Sequence, residues 1–489
     1  MRSDLALSTQ LVVIGAGPGG YAAAFYAADR GMKVTLVDPE KNPGGVCVYR
    51  GCIPSKALLH VANVITESAH AADYGVDFQK PAVHLDKLRD FKNKVVGQLT
   101  SGAGQIRNLR KIQHIQGMAA FKDSRTLDID KVDGGKETLA FEHCIIATGS
   151  RPTTIPGLSI DSPLVMDSTG ALDLPDVPET LLVIGGGYIG LELGTVYAAL
   201  GSRVSIVART PGLLPGADRD LVNILAKRIV AISEAVWLNT KVTKIEAVRG
   251  AKGEERAAGG EARERLVVSF EGEKTGDQTF DRVLISIGRR PNSNVPGLEN
   301  TRVKINQRGF IEVDESRRTA EPNIYAIGDV AGEPMLAHKA SHEGRTAVDA
   351  IAGDRNVAFE PAAIPAVVFT DPEIAWAGLT ETDAEKQGRK VAIAKFPWGA
   401  SGRAISLGRT DGVTKLIIHP ESERVLGVGI CGPGAGELIS EGVLAIEMGA
   451  TAKDVAMTIH PHPTLSETVM ESAEVFFGEA THVYRPKRH

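Results

Sequence analysis

The chain has 489 residues, too many for one hydrophobic core, and its length predicts three or four domains. Hydrophobic residues at 43% and charged residues at 24% are those of a soluble globular protein. A net charge of −5 argues against a nucleic-acid or anionic-membrane partner, and four cysteines are too few for a secreted disulfide framework.

The first apolar run, LVVIGAGPGG at residues 11–20, is interrupted by glycines and lacks a small-residue cleavage site, so it does not read as a signal peptide. No run reaches the eighteen apolar residues of a membrane span, and the expected location is the cytoplasm. Residues 10–38 predict strand, glycine turn, helix, strand. Gly15, Gly17 and Gly20 give G-x-G-x-x-G, and Asp38 closes the second strand. The motif alone is weak. Placed between a strand and a helix, with an acid ending the next strand, it predicts a dinucleotide site: backbone N–H groups for a pyrophosphate and a carboxylate for a ribose diol.

GGVCVYRGCIPSK follows at residues 44–56. Pro54 suits a first helical turn, so a helix is expected to begin near Cys52. A helix N-terminus and the Lys56 ammonium both favour a thiolate. Cys47 and Cys52 therefore read as a redox-active dithiol/disulfide laid against the bound nucleotide. Cys144 and Cys431 read as small core residues.

Residues 57–112 predict helices and 112–146 predict strands. From 181, LLVIGGGYIGLELGTVYAALGSRVSIVAR repeats the first unit, with Gly185, Gly187 and Gly190 as the second glycine set. Two nucleotide sites in one chain, one of them beside a dithiol, imply an electron relay between two cofactors. Where the first site has Asp38, the repeat has Ala208 followed by Arg209. A carboxylate there binds the 2′-OH of NAD; an alanine and an arginine leave NADP open. Arg203 is a further candidate for a phosphate. Residues 248–264, charged and rich in Gly and Ala, predict a long mobile hairpin loop. Asp329 closes a buried strand where a carboxylate can meet a flavin's ribityl chain. From about 351 a mixed sheet with helices is expected. In TIHPHPTLSE, His462 is a natural proton acceptor for a thiol, with Glu467 near enough to fix its tautomer. The pattern alone leaves a structural pair equally open.

Together GGVC…GCIPSK, IIATGSRP, GGGYIGLELGTVYAALG, GPGAGELISEGVLAIEMGA and HPHPTLSE resemble the pyridine nucleotide–disulphide oxidoreductases over nearly the whole chain, and among them the lipoamide dehydrogenases. The resemblance implies an α/β fold: two Rossmann-like dinucleotide-binding domains, for FAD and NAD(P), plus a C-terminal α+β dimerisation domain. The expected spans are 1–150 for FAD, 151–280 for NAD(P), 281–350 completing the FAD site, and 351–489 for dimerisation. FAD would lie along Gly15–Gly20 with Asp38 on its adenosine ribose, Lys56 near the reactive ring nitrogen and the Ala119 backbone near the adenine. Thr148, Gly149, Ser150, Asp329, Met335, Leu336, Ala337 and His338 would complete the cradle. The nicotinamide cofactor, NAD or NADP, would lie on Gly185, Gly187, Tyr188, Ile189, Gly190, Glu192, Val242 and Gly288. His462 and Glu467 would act across a homodimer, on the disulfide of the other subunit.

The activity so implied is oxidation of protein-bound dihydrolipoamide to lipoamide through Cys47, Cys52 and FAD, with reduction of NAD(P)⁺, serving a lipoyl-bearing protein or 2-oxoacid dehydrogenase complex. One alternative is an NADPH-dependent reductase of another small or lipoyl-like disulfide. Another is a non-catalytic assembly subunit of such a complex. Two stretches depart from the pattern. Val48-Tyr49-Arg50 stands where the family has a run such as LNV, so a phenol and a cation beside the disulfide are expected either to tune its thiols or to favour a different disulfide partner. Ala208-Arg209 resembles the NADP-using glutathione reductases of the family.

Overall fold

The computed structural model describes residues 7–155, 157–158, 160–249 and 264–484. The chain forms two compact units. The first gathers residues up to 58, 84–153 and 288–360; the second gathers 59–83, 154–287 and the chain from 361 onward.

In the first unit the elements run β1 (Leu7–Ile14), α1 (Pro18–Asp29), β2 (Val34–Asp38), α2 (Gly45–Arg50), α3 (Cys52–His70), α4 (Leu85–Leu109), β3 (Gln113–Asp123), β4 (Thr126–Lys131) and β5 (Lys136–Ile146), with α3 running past residue 58. β1 pairs in parallel with β2 and β5, β2 with β3, and the strand Ile324–Ala326 with β5. β3, β4 and β5 extend beyond this parallel centre as an antiparallel meander. Leu11, Val12 and Val13 are fully buried, as suits a central parallel strand covered on both faces. Ala23, Ala24 and Ala27 keep one side of α1 thin enough to pack closely. The order of the strands reverses at β1, between β2 and β5. Ligands of such sheets bind in the crevice beyond the carboxyl ends of the strands at that point.

The second unit repeats this arrangement. Thr180–Ile184, Tyr188–Leu200 and Arg203–Val207 form the second strand–helix–strand, in an all-parallel five-stranded sheet. A three-stranded antiparallel sheet follows in the chain, Thr240–Arg249, Glu264–Gly272 and Gly276–Phe280. Of the expected loop at 248–264, residues 250–263 lie outside the described residues; the strands on either side pair Arg249 with Glu264. The C-terminal part is an antiparallel five-stranded sheet carrying the helices Ala435–Glu447 and Glu467–Phe477 around a core that includes Trp398, Phe396 and Ile430. The expected α/β fold, two Rossmann-like sheets and a C-terminal α+β part, is what forms.

Lys415 joins two of these parts of the second unit. It is 1% exposed, and its ammonium donates to Asp218 (2.7 Å), Asp220 (2.7 Å) and Glu381 (2.8 Å). Asp218 and Asp220 stand at the start of the helix Arg219–Ile232, and Lys395 makes two further contacts to Asp220 and Glu381. Burial resists ionisation of Asp218 and Asp220, but the lysines (with backbone N–H groups on Asp218) outweigh it and hold both carboxyls below the usual range. Among the described residues, no helix is long and apolar enough to cross a membrane.

Candidate active site

Cys47 lies in the short helix α2 and Cys52 is the first residue of α3, as the proline spacing predicts. Gly51 makes their approach workable. A Cβ at residue 51 would stand 3.0 Å from the Val46 carbonyl oxygen and 3.4 Å from the Cys47 Cα, so only glycine lets the two helices abut. Both residues are thiols here. The Cys47 thiol is pushed strongly upward, first by its hydrogen bond with Cys52, then by burial and the neighbouring sulfur; Lys56 pulls weakly the other way. Cys52 is exposed at the N-terminus of a nineteen-residue helix, the end at which a helix dipole favours negative charge.

The dithiol is seated on the first glycine loop. The Gly44 N–H donates to the Ala16 carbonyl at 2.8 Å. Gly45 has φ +58°, and a Cβ there would lie 2.4 Å from the Gly17 Cα. Gly17 caps α1 with no side-chain hydrogen bond, and Pro18 follows. Gly187 caps the equivalent helix of the repeat in the same way, and a Cβ there would meet nothing within 4 Å. Neither helix end is capped by a side chain, which suits the pyrophosphates of FAD and of a pyridine nucleotide.

Asp38 has a structural task in the first unit. Its two oxygens accept the N–H of Ala16 (2.7 Å) and of Glu40 (2.8 Å), so it pins the glycine loop. Burial is the main cause of its raised pKa. Ala119 is buried on β3. Thr148 donates to the Asn292 carbonyl at 2.8 Å, and the Gly149 carbonyl accepts the Asn292 N–H. Ser150 donates to Asp329 at 2.5 Å and accepts from Arg289 at 2.7 Å. Met335 and Leu336 precede the helix that opens with Ala337 and His338. In the second unit, Gly185, Gly190 and Ile189 belong to the repeated turn, Tyr188 is partly exposed beside it, and Val242 is buried on its strand. Glu192 is 3% exposed and accepts the Phe369 N–H, a bracing contact within this unit. Gly288 lies in the first unit, accepting from the Thr153 N–H.

His462 is exposed at the end of a loop, and its Nδ1 lies 2.9 Å from Glu467 Oε1. The other Glu467 oxygen accepts the Thr464 N–H at 2.8 Å. Burial of Glu467 opposes ionisation, but this N–H and the His462 ring outweigh it and lower its pKa. Nε2 of His462 is thereby turned away from the carboxylate.

Two expectations fail. Tyr49 and Arg50 do not tune the thiols: Tyr49 donates to the Asn42 carbonyl at 3.1 Å, and Arg50 pairs with Glu40 while lying over the Tyr49 ring. Both face away from the sulfurs because α2 puts them on the side toward the 38–43 loop. Arg203 is bonded to Glu179 at the opposite end of its strand from Ala208, so it is no phosphate ligand. Arg289, which fixes Ser150, escaped the sequence, and so did two further residues. Tyr21, in the first turn of α1, has its hydroxyl pKa raised by burial and then by Cys47 and Cys52. His460 is held by Glu441 at 2.5 Å and by the Thr458 carbonyl. Position directly after the glycine motif was the only signal for Tyr21; for His460 it was the doubled His-Pro.

The family model for pyridine nucleotide-disulphide oxidoreductases matches residues 9–344, and the model for their dimerisation domain matches 364–473. The chain belongs to the pyridine nucleotide-disulphide oxidoreductase family. Within it, the chain is similar to the dihydrolipoyl dehydrogenase of Haemophilus influenzae, 46% identical over 97% of this chain and 96% of that one. The dihydrolipoyl dehydrogenase of Geobacillus stearothermophilus is 43% identical over 98% of each. Among solved structures, LpdA from Mycobacterium tuberculosis superposes with a TM-score of 0.86 at 25% identity, covering 95% of this chain and 99% of that one. The HOCl-induced flavoprotein disulfide reductase RclA from Escherichia coli does so with 0.81 at 27%, covering 94% and 98%. As a member of the family with both models matched, the chain carries a dimerisation domain from 364.

Proposed function

We propose that this chain is a dihydrolipoyl dehydrogenase, using FAD and a pyridine nucleotide. The observation that carries the reading is the Cys47–Cys52 pair seated on one glycine loop of a chain that holds two. The four-part division at 150, 280 and 350 is the matching functional division. The active unit is a homodimer in the cytoplasm, and its partner is a lipoyl-bearing protein of a 2-oxoacid dehydrogenase complex.

In the oxidised enzyme Cys47 and Cys52 form a disulfide. His462 of the partner subunit takes a proton from one thiol of dihydrolipoamide. That thiolate attacks Cys47 Sγ, the S–S bond breaks, and Cys52 leaves as thiolate. Cys52 is the better leaving group, because its helix terminus and Lys56 stabilise the anion. His462 of the partner subunit then hands its proton to the departing Cys47 sulfur and takes that of the second lipoyl thiol, which attacks the lipoyl sulfur and breaks the mixed disulfide, so that Cys47 is left as a thiol. Lipoamide departs with its ring disulfide closed, and the enzyme keeps two electrons as a dithiol. Bound flavin supplies the two-electron relay from this dithiol to NAD(P)⁺. Gly15, Gly17, Gly20 and Asp38 would hold the flavin's nucleotide half; Ser150, fixed by Arg289, would set Asp329 toward its chain.

The experiment is steady-state oxidation of dihydrolipoamide by the purified protein, with NAD⁺ and NADP⁺ compared. Cys52→Ser should keep its flavin and lose turnover by more than about a thousandfold, since the thiolate leaving group is gone. Normal turnover by that variant would end the scheme. One observation favours a second reading: the missing carboxylate at residue 208 supports an NADPH-driven reductase of another disulfide. A substrate panel run in both directions separates the two.

A further inference from the structure

The two glycine-loop units superimpose in sequence at a constant offset of 170: Gly15, Gly17 and Gly20 answer to Gly185, Gly187 and Gly190. The first unit therefore serves as an internal reference for the second. In the first, the strand ends in Asp38-Pro39-Glu40, and the Asp38 carboxylate reaches the loop N–H at Ala16. In the second, both carboxylates are replaced, by Ala208 and Thr210, and Arg209 stands between them. The fold has not moved. A Cβ built on Gly186 would lie 3.1 Å from the Ala208 methyl, so residue 208 still abuts the loop residue that answers to Ala16.

Charge in this region is one-sided. The segment 208–217, ARTPGLLPGA, contains one charged residue, Arg209. Arg209 is exposed, and no hydrogen bond or ion pair with the described residues engages it. The neighbouring arginines are committed elsewhere: Arg203 to Glu179, Arg219 to the carbonyls of Leu213, Leu214 and Ala217, and Arg282 to Asp176. A site meant for a 2′-hydroxyl would retain a carboxylate. This one has lost both carboxylates and presents an uncommitted guanidinium, whose planar donor set matches a phosphate.

We infer that the second nucleotide site accepts a 2′-phosphorylated pyridine nucleotide, with Arg209 as the ligand of the phosphate and Ala208 as the residue that removes the opposing charge. This deepens the proposed function and rests on it for the identity of the site. Catalysis at the dithiol is unaffected by it, since the 2′ position is remote from the hydride.

The test is a binding measurement, made by calorimetry on the flavin-loaded protein with 2′,5′-ADP and with 5′-AMP as probes. The parent should bind 2′,5′-ADP at least about tenfold more tightly, the worth of a charged hydrogen-bond pair, and the preference should shrink with salt. Arg209→Ala, a surface change, should remove the preference while leaving 5′-AMP binding intact. Ala208→Glu should reverse it. Equal binding of the two probes by the parent would overturn the inference, as would a preference that survives Arg209→Ala. Loss of dihydrolipoamide oxidation with both NAD⁺ and NADP⁺, alongside an intact probe preference, would instead count against the dehydrogenase reading alone.

Discussion

Replacing Glu467 by Gln isolates what the carboxylate does for His462. One oxygen faces the ring at 2.9 Å and the other accepts the Thr464 N–H at 2.8 Å. Glutamine keeps one acceptor. Its NH₂ must then face either the imidazole or the Thr464 N–H, and in each case one charge-assisted hydrogen bond is lost. Such bonds contribute roughly 1.5–3 kcal/mol. If that energy holds the ring in its working tautomer and direction, turnover of dihydrolipoamide falls about tenfold to a hundredfold. The loss should be confined to one half of the reaction. Reduction of an artificial electron acceptor by the pyridine nucleotide needs the flavin but not the histidine, and should stay within about twofold of the parent. Glu471→Gln, on the same helix, serves as a control for general disturbance. Equal losses in both assays would mean that Glu467 only supports the fold. An unchanged turnover would mean that His462 needs no orienting carboxylate.

Other outcomes concern the scaffold. Lys415→Met should destabilise the protein by about 3 kcal/mol, at the low end for breaking a buried pair, because Asp218 keeps its donors from Glu381 and Thr382; chemical denaturation reads this, and adding Asp218→Asn should restore part of it. Because Asp218 and Asp220 have lowered pKa values when folded, their contribution is present at neutral pH and is lost as the pH falls below the ordinary carboxylate range; the variant should show a shallower loss of stability there. Iodoacetamide on the reduced, flavin-free protein should label Cys47 and Cys52, with Cys52 first, and spare Cys144 and Cys431, which are fully buried with raised thiol pKa values. Peptide mass spectrometry after a timed quench decides it, and early modification of Cys144 or Cys431 would contradict the burial.

The parts legible in the sequence were those governed by local rules. Strand, glycine turn and helix follow from short-range sterics, so both nucleotide units, the start of α3 at Cys52 and the duplication were readable residue by residue. Neighbours along the chain were a poor guide to side-chain direction. Tyr49 and Arg50 sit between the two cysteines in sequence, yet one helical turn aims them at Asn42 and Glu40. Arg203 opens a strand and Arg209 lies just past its end, so six positions put them at opposite ends of it. Tyr21 and Arg289 were missed for the converse reason: each reaches its partners through tertiary folding, Tyr21 beside sulfurs from another helix and Arg289 on Ser150 from 139 residues away. His462 and Glu467 were readable as a pair because only four residues of loop separate them.

The Lys415 cluster bears on how freely this architecture can be recombined. Three acids and an ammonium of opposite charge are divided between the start of the helix that opens at residue 219 (Asp218 and Asp220) and the C-terminal part (Glu381 and Lys415), so neither side is electrically complete by itself. A chimera that exchanges the chain from 361 onward would inherit carboxylates without their lysine unless both halves came from parents agreeing at 218, 220, 381 and 415. Those four positions work as a compatibility code: they decide which nucleotide-binding halves and which dimerisation halves can be joined into a stable protein.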